Sequence, residues 1–282
     1  MSRKVSVACL QTRPMPDFDT AIDEALGLAR EAVDKGAQFL SLPEYCGGLK
    51  GEGGLFYPPK APENEHPVLN AVREFAKAND VWVQIGSIAV PGPGDKTFNR
   101  GFVVDNQGAI RSRYTKIHLF DIQLSETETY LESGVISPGD EAVNVDLPWG
   151  RLGHTICYDL RFPHLYRDLS KAGAEILGAP AAFTKKTGEA HWHVLNRARA
   201  IENGAFMEST CAVGDVPGGG AAYGRSLIVG PWGEVLADGG NQPGVAMAAI
   251  DLDDVVAARR KIPALSHDRP FASASSRQSE VA

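Results

Sequence analysis

Three short stretches hold side chains that could do covalent chemistry. LSLPE runs apolar into a carboxylate, Glu44, directly after Pro43. RYTKIHLFD sets the cation of Lys116 beside Ile117 and Leu119. GHTICYDLRFP, residues 153–163, puts Cys157 between an apolar run and a charged, turn-like segment holding Tyr158, Asp159 and Arg161. Taken singly, Glu44 and Lys116 read as solvated loop charges and Cys157 as a small buried hydrophobe. Taken together they supply a base, a cation and a nucleophile, the set that acyl transfer through a thioester requires. A thiol close to free helix-terminal amides is further expected to ionise more easily than an ordinary one.

The elements that must position these residues can be read from periodicity. VSVACL alternates Val5, Val7 and Cys9 on one face and predicts a strand. Ile22, Leu26, Ala29 and Val33 repeat at helical spacing between Asp17, a candidate N-cap, and Gly36, a candidate stop. QFLSLPE then predicts a buried strand, residues 68–78 a helix, and VWVQIGSIAV a strand. TFNRGFVV and AIRSRYTKI form a hairpin across Asp105-Asn106-Gln107-Gly108. In the second half RLGHTICY, AEILGAP, FMESTCAVG, SLIVG and VAMAAIDL predict strands. Residues 163–172, 191–203 and 253–260 predict helices. Strands alternating with helices on nearly continuous apolar runs imply an α/β architecture with chemistry at strand ends. No linker-like composition divides the chain, so residues 1–270 read as one domain and 271–282 as a Ser-rich tail, loosely ordered or docked on a partner.

Composition narrows the function classes. The 282 residues are 43% hydrophobic and 22% charged, enough for a large core without disulfide or metal staples. A formal charge of −7 argues against general nucleic-acid binding but leaves room for a locally positive site. The apolar run at the N-terminus is closed by Gln11 and Arg13, too short for a signal-peptide core or a membrane span. Cys9, Cys46, Cys157 and Cys211 are widely scattered, which predicts free thiols in a reducing cytoplasm rather than a disulfide framework.

LPEY, YTKIHLFD and GHTICYDLRFP, in that order, resemble the three catalytic signatures of the nitrilase superfamily of carbon–nitrogen hydrolases. GAEILGAPAAFTKKTGEAHWHVLNRARAIEN and YGRSLIVGPWGEVLAD are similar to the branch of deaminated glutathione amidases and ω-amidases. The resemblance spans nearly the whole chain. It implies a four-layer α-β-β-α sandwich, usually paired into a homodimer, with no metal or organic cofactor. It also implies a catalytic triad of Glu44, Lys116 and Cys157. In that reading Glu44 takes the thiol proton and returns it to leaving ammonia, while Lys116 and a backbone N–H near Cys157 stabilise the oxyanion. A further family carboxylate corresponds to Glu132 in YLESG, supporting the lysine or the attacking water; Glu126 and Glu128 lie in a less distinctive acidic run.

The remaining candidates divide more evenly. Arg161, four residues beyond Cys157, could bind a substrate carboxylate bidentately, or form a structural pair with Asp159 or Glu175. Tyr158 and Thr184 would complete such a pocket, and Cys46 is close enough to Glu44 to line it. His191 and His193 point to different faces of a helix, and His154 with Cys157 has no second Cys/His pair, so structural hydrogen bonds are expected rather than a metal. Arg197 or Arg199 is expected in a buried pair with Glu202 or Asp159. GDVPGGGAAYG reads as a mobile loop rather than a phosphate cradle. The chain departs from the branch at Arg225 in YGRS, at Asn196, and at Asp268 in His267-Asp268-Arg269, which bears on substrate and dimer contact but not on the triad. The sequence thus points to a cysteine-dependent amidase for a small carboxylate-bearing amide. The alternatives are a nitrilase or N-carbamoyl amino acid hydrolase, then a non-catalytic binding or scaffolding protein, then a papain-like Cys–His hydrolase.

Overall fold

The structure is a computed structural model that describes residues 3–52, 55–126 and 128–271. Two sheets stack face to face. The first orders strands Ile136–Ser137, Thr97–Val104, Trp82–Pro91, Phe39–Ser41, Lys4–Gln11 and Gly244–Asp251, with Ile110–Thr115 also pairing along Thr97–Val104. The second orders Asn144–Asp146, Arg151–His154, Ile176–Gly178, Phe206–Ser209, Leu227–Val229 and Val235–Asp238.

The period of two in these strands builds the layers. Val5, Val7 and Cys9 meet Ile176, Phe206 and Ile228 across the space between the sheets. Their neighbours Ala8 and Leu10 instead pack under helices α1 (Phe18–Asp34) and α2 (Pro67–Asn79). On the opposite side Leu177, Met207 and Val229 face α3 (Pro163–Lys171) and α4 (Lys185–Asn203), whose Leu165, Leu169, Trp192 and Ala200 complete a third core. Helices on both outer faces bury each central strand twice, which is why VSVACL and SLIVG are apolar almost throughout. This is the α-β-β-α sandwich that the resemblance implied. No helix among the described residues is long and apolar enough to cross a membrane.

Local signals behave as their chemistry predicts. Asp17 caps α1 by accepting the Thr20 N–H at 2.9 Å. Gly36, at φ +86°, follows the helix end with a left-handed turn.

Several boundaries differ from the sequence expectation. RLGHTICY is strand only over Arg151–His154; Thr155 and Ile156 leave the sheet and Cys157–Arg161 wind into a 3₁₀ turn. FMESTCAVG splits into Phe206–Ser209 and the separate strand Val213–Asp215. The glycine-rich stretch forms a hairpin, with Val213–Asp215 pairing with Ala221–Tyr223 on either side of its loop. Helix α4 starts at Lys185, six residues ahead of the apolar spacing that marked it, and Thr187 of its first turn lies on the cavity wall. The predicted tail lies outside the described residues beyond Phe271.

The fold delivers both sheets' strand ends to one place. Phe39–Ser41 runs parallel to Trp82–Pro91, and Arg151–His154 parallel to Ile176–Gly178. Gly86, beside a register shift between Ile85 and Ile88, lies where Leu42, Pro43 and Pro180 come together. A Cβ there would collide with the Leu42 and Pro43 carbonyls and with Pro180, so only glycine lets these ends converge.

Candidate active site

Each candidate residue sits just past the end of a strand and is tied down by its backbone. Leu42 donates its N–H to the Gln84 carbonyl at 2.9 Å, which carries the chain on to Glu44. Lys116 follows Ile110–Thr115 and donates its N–H to the Asn99 carbonyl at 3.0 Å. Cys157 opens its 3₁₀ turn and donates its N–H to the Pro180 carbonyl at 2.8 Å. Tyr45 and Cys157 both adopt positive φ, +53° and +51°. Such conformations cost roughly 1–3 kcal/mol each at non-glycine residues and persist only where the surroundings over-determine them.

The side chains converge on the Lys116 ammonium. Its Nζ lies 2.8 Å from Glu44 Oε1, and 3.0 and 2.9 Å from Glu132 Oε1 and Oε2. All three residues are buried, with relative exposures of 3%, 1% and 2% for Glu44, Lys116 and Glu132. Burial opposes the charge on Lys116, but Glu132 and then Glu44 outweigh it and hold the ammonium pKa well above its ordinary value. Glu132 is anchored on both oxygens, accepting the Tyr45 hydroxyl at 3.1 Å and the Phe120 N–H at 2.6 Å. Glu44 accepts the Ala182 N–H at 2.9 Å and the Asn99 amide at 2.9 Å. Asn99 also reaches Glu132 at 3.4 Å, so one amide bridges the two carboxylates.

Glu44, Lys116, Glu132 and Cys157 share one cavity with apolar walls that include Leu49, Phe56, Phe120 and Phe183. The Cys157 thiol shares this cavity with Glu44, the carboxylate that acts on it most strongly. Burial pushes its pKa well up, Glu44 adds to the rise, and Lys116 works against it. This corrects the expectation of a readily ionised thiol. Desolvation dominates here, so the resting sulfur keeps its proton and needs a base in contact with it.

The other predicted residues fall around the rim or outside the site. Thr184 lies on the cavity wall at the N-cap position of α4, its hydroxyl 2.8 Å from that of Thr187. The Tyr158 ring packs edge-to-face on Phe120 at 5.2 Å and on Phe162 at 5.4 Å, bracing the wall from behind instead of lining it. Arg161 pairs with neither Asp159 nor Glu175. Asp159 is taken by other donors and Glu175 by Arg3. The Arg161 guanidinium instead lies over the Phe183 ring at 5.1 Å, with NH1 3.2 Å from His191 Nδ1, and has no carboxylate partner among the described residues. Cys46 does not line the cavity: its thiol turns to the Ser87 carbonyl at 3.3 Å and packs in the core under the first helices. Tyr45 takes that place on the wall.

The histidines find structural partners, His154 with Ser112 at 2.7 Å and His193 with Asp238 at 3.0 Å. No group of three or more potential metal ligands occurs among the described residues. Arg199 is itself buried and pairs with Glu202 at 3.0 Å, but the Glu202 side chain is 39% exposed, and the buried contact of the guanidinium is to the Leu160 carbonyl. At the branch departures, Arg225 meets Asp238 at 3.2 Å, Asn196 accepts the Ser209 hydroxyl at 2.5 Å, and Asp268 pairs with Arg167 and Lys171. None of these three touches the cavity.

Sequence reasoning passed over Asn99 and Tyr45, and weighed Asp159 only as a partner for an arginine. Asn99 had a signal, a polar residue at a buried position inside the apolar strand TFNRGFVV. The backbone donors of Ala182 and Phe120 had none, since an N–H carries no trace of its role in residue type.

Comparison with known proteins agrees with this geometry. Residues 6–260 match the carbon–nitrogen hydrolase family. A deaminated glutathione amidase of Dictyostelium discoideum is 35% identical over 250 residues, covering 86% of this chain and 86% of that protein. The omega-amidase NIT2 of Bos taurus is 36% identical over 248 residues, covering 88% and 89%. The crystal structure of the C. elegans NitFhit protein superposes with a TM-score of 0.85 at 31% identity over 94% of this chain, which spans 65% of that longer chain. With its fold, strand-end site and sequence all in agreement, this chain belongs to the carbon–nitrogen hydrolase family.

Proposed function

We propose that the protein is an amidase that cleaves a small carboxylate-bearing amide through a thioester on Cys157. The observation behind this is the buried Lys116 ammonium held between Glu44 and Glu132 at the Cys157 wall of an apolar cavity. Of the two carboxylates, Glu44 acts more strongly on the thiol, while Glu132 is engaged by Lys116, Tyr45 and the Phe120 N–H, so Glu44 is the base. As sulfur attacks the carbonyl carbon, its proton passes to Glu44. The oxygen then gains charge and is met by Lys116 and by the Tyr158 N–H. The Cys157 N–H is already committed to Pro180, whereas Tyr158 lies in the first turn of a helical segment, where amides lack intrahelical acceptors. Collapse breaks the C–N bond and Glu44 returns its proton to nitrogen, releasing ammonia. Water then gives a proton to Glu44 as it attacks the thioester, and that proton goes back to sulfur when the acid departs. Glu132, saturated by fixed donors, holds Lys116 in place throughout.

The carboxylate preference is supported by the names of the relatives and by Arg161, an unpaired guanidinium over an aromatic residue of the cavity wall. A panel of amides, nitriles and carbamoyl compounds, scored by ammonia release, tests the reading. Succinamate, a dicarboxylic half-amide, should exceed butyramide, a neutral amide of similar length, and the matching nitrile should be poor. Arg161→Lys keeps the charge but loses the flat fork, so kcat/KM for succinamate should fall by about tenfold, the lower end of a charge-assisted hydrogen bond of about 1.5–3 kcal/mol. Turnover of butyramide should barely change. Preference for the neutral amide, or equal loss on both, would make Arg161 structural and the acidic substrate wrong.

The same proposal includes a homodimer. Val194 and Ile201, seven residues apart on the outer face of α4, are 68% and 51% exposed, and Trp232 stands beside them at 58%. Arg197 on the same helix ties to the Gly233 carbonyl at 2.7 Å, so helix and turn form one rigid apolar face of the kind that marks a contact surface. Sedimentation should give twice the chain mass of 30.2 kDa, and Val194→Glu with Trp232→Glu should halve it. A monomeric wild-type protein would remove this part of the proposal. Four buried free cysteines suit a cytoplasmic setting, checked by titrating four reduced thiols in the protein isolated from that fraction.

A further inference from the structure

Asp159 lies two residues beyond Cys157 and is completely buried. It does not touch the cavity, yet its carboxylate is saturated with four hydrogen bonds. Oδ2 accepts the Tyr114 hydroxyl at 2.7 Å and the Ile156 N–H at 2.9 Å. Oδ1 accepts the His118 N–H at 3.0 Å and pairs with His118 Nδ1 at 2.7 Å. The donors are not scattered. Tyr114 and His118 flank Lys116 at two residues on either side, and Ile156 immediately precedes Cys157. One carboxylate thus grips the lysine's segment on both flanks and the backbone entering the nucleophile's turn.

Two further contacts reinforce the grip. The His118 ring stacks on Phe162 at 3.5 Å with planes 7° apart, and the Phe162 N–H donates to the Asp159 carbonyl at 2.9 Å. The grip sits where it is needed, because Cys157 occupies a left-handed conformation that its own backbone does not favour. Lys116 and Cys157 come from different sheets, so no continuous secondary structure sets their separation. From this geometry we infer that Asp159 is a positioning residue, which holds Lys116 and Cys157 in register for the reaction without meeting substrate. The inference rests on the roles proposed above for those two residues.

The test uses the full chain with succinamate and a second readout that needs no substrate, the pH profile of Cys157 alkylation by iodoacetamide, located by peptide mass mapping. Asp159→Asn keeps the size but turns one acceptor into a donor facing the Tyr114 and Ile156 donors. It should lower kcat about 100-fold, the scale of a misplacement of about 1 Å, with KM within about threefold of wild type. Tyr114→Phe removes a single hydrogen bond, leaves the strand intact, and should lower kcat about tenfold. Because Lys116 opposes the rise in the Cys157 pKa, loosening the register should move both alkylation profiles to higher pH.

If Asp159→Asn does not fold, Tyr114→Phe decides alone. Wild-type kcat in the folded variants, a loss confined to KM, or a fall in kcat without movement of the alkylation profile would each overturn the inference. Turnover that survives Cys157→Ala would instead overturn the triad reading itself, a result that no Asp159 or Tyr114 variant can imitate.

Discussion

Cys157→Ala should leave a folded protein that releases no measurable ammonia, while wild-type enzyme quenched during turnover carries an acyl group on the Cys157 peptide alone. Loss of a covalent nucleophile that acts as a unit with its base costs on the order of a million-fold in kcat. The fold should survive because alanine meets the same strain at φ +51° that cysteine does, and removing one sulfur from a cavity wall costs only about 1 kcal/mol. The other thiols cannot substitute. Burial pushes Cys46 and Cys211 up to about 12 and Cys9 well above its ordinary value, and none lines the cavity. Intact-mass and peptide analysis of the quenched enzyme decides the matter, and an adduct on any other cysteine would end the assignment.

Lys116→Ala is expected to damage both catalysis and stability, for related reasons. As an oxyanion donor the lysine acts on charge that exists only in the transition state, so kcat should fall by about 100- to 1,000-fold with little change in KM. A raised KM with kcat kept would make it a substrate clamp instead. In the resting protein the ammonium is the shared partner of two buried carboxylates, and removing it leaves Glu44 and Glu132 facing each other with no counter-charge. Breaking such a buried pair costs about 3–5 kcal/mol, which a lowered midpoint in denaturant unfolding would register. A variant with normal stability would show that the carboxylates had found other partners, and would weaken the view of Lys116 as the centre of the cluster.

Much of this was readable before any coordinates. The alternation in VSVACL, the cap at Asp17, the hairpin at 105–108 and the apolar runs ending at Glu44, Lys116 and Cys157 are local features, written in residue type and spacing. The ordered triple of motifs determined the family, and with it the four layers.

What spacing cannot express is where a chain leaves its sheet and which distant groups meet there. RLGHTICY is apolar to its end, yet the strand stops at His154: Thr155 makes a last bond to Gly178 of the neighbouring strand, and the Ile156 N–H turns to the Asp159 carboxylate instead of continuing the ladder. Cys46 is close to Glu44 in sequence, but the chain turns at Tyr45 with φ +53°, which leaves Glu44 and Tyr45 on the cavity and sends Cys46 into the core. Arg161 divided between a substrate contact and a structural pair with Asp159 or Glu175, and both acids are claimed by partners far along the chain. The protonated state of the thiol belongs to the same class. A cysteine's ionisation depends on how much water its neighbours exclude and on the balance of Glu44 against Lys116, quantities that exist only once both sheets have closed over the cavity. The sequence by itself determined which groups do the chemistry; tertiary packing alone decided their protonation and their register, because both arise from contacts between residues tens of positions apart.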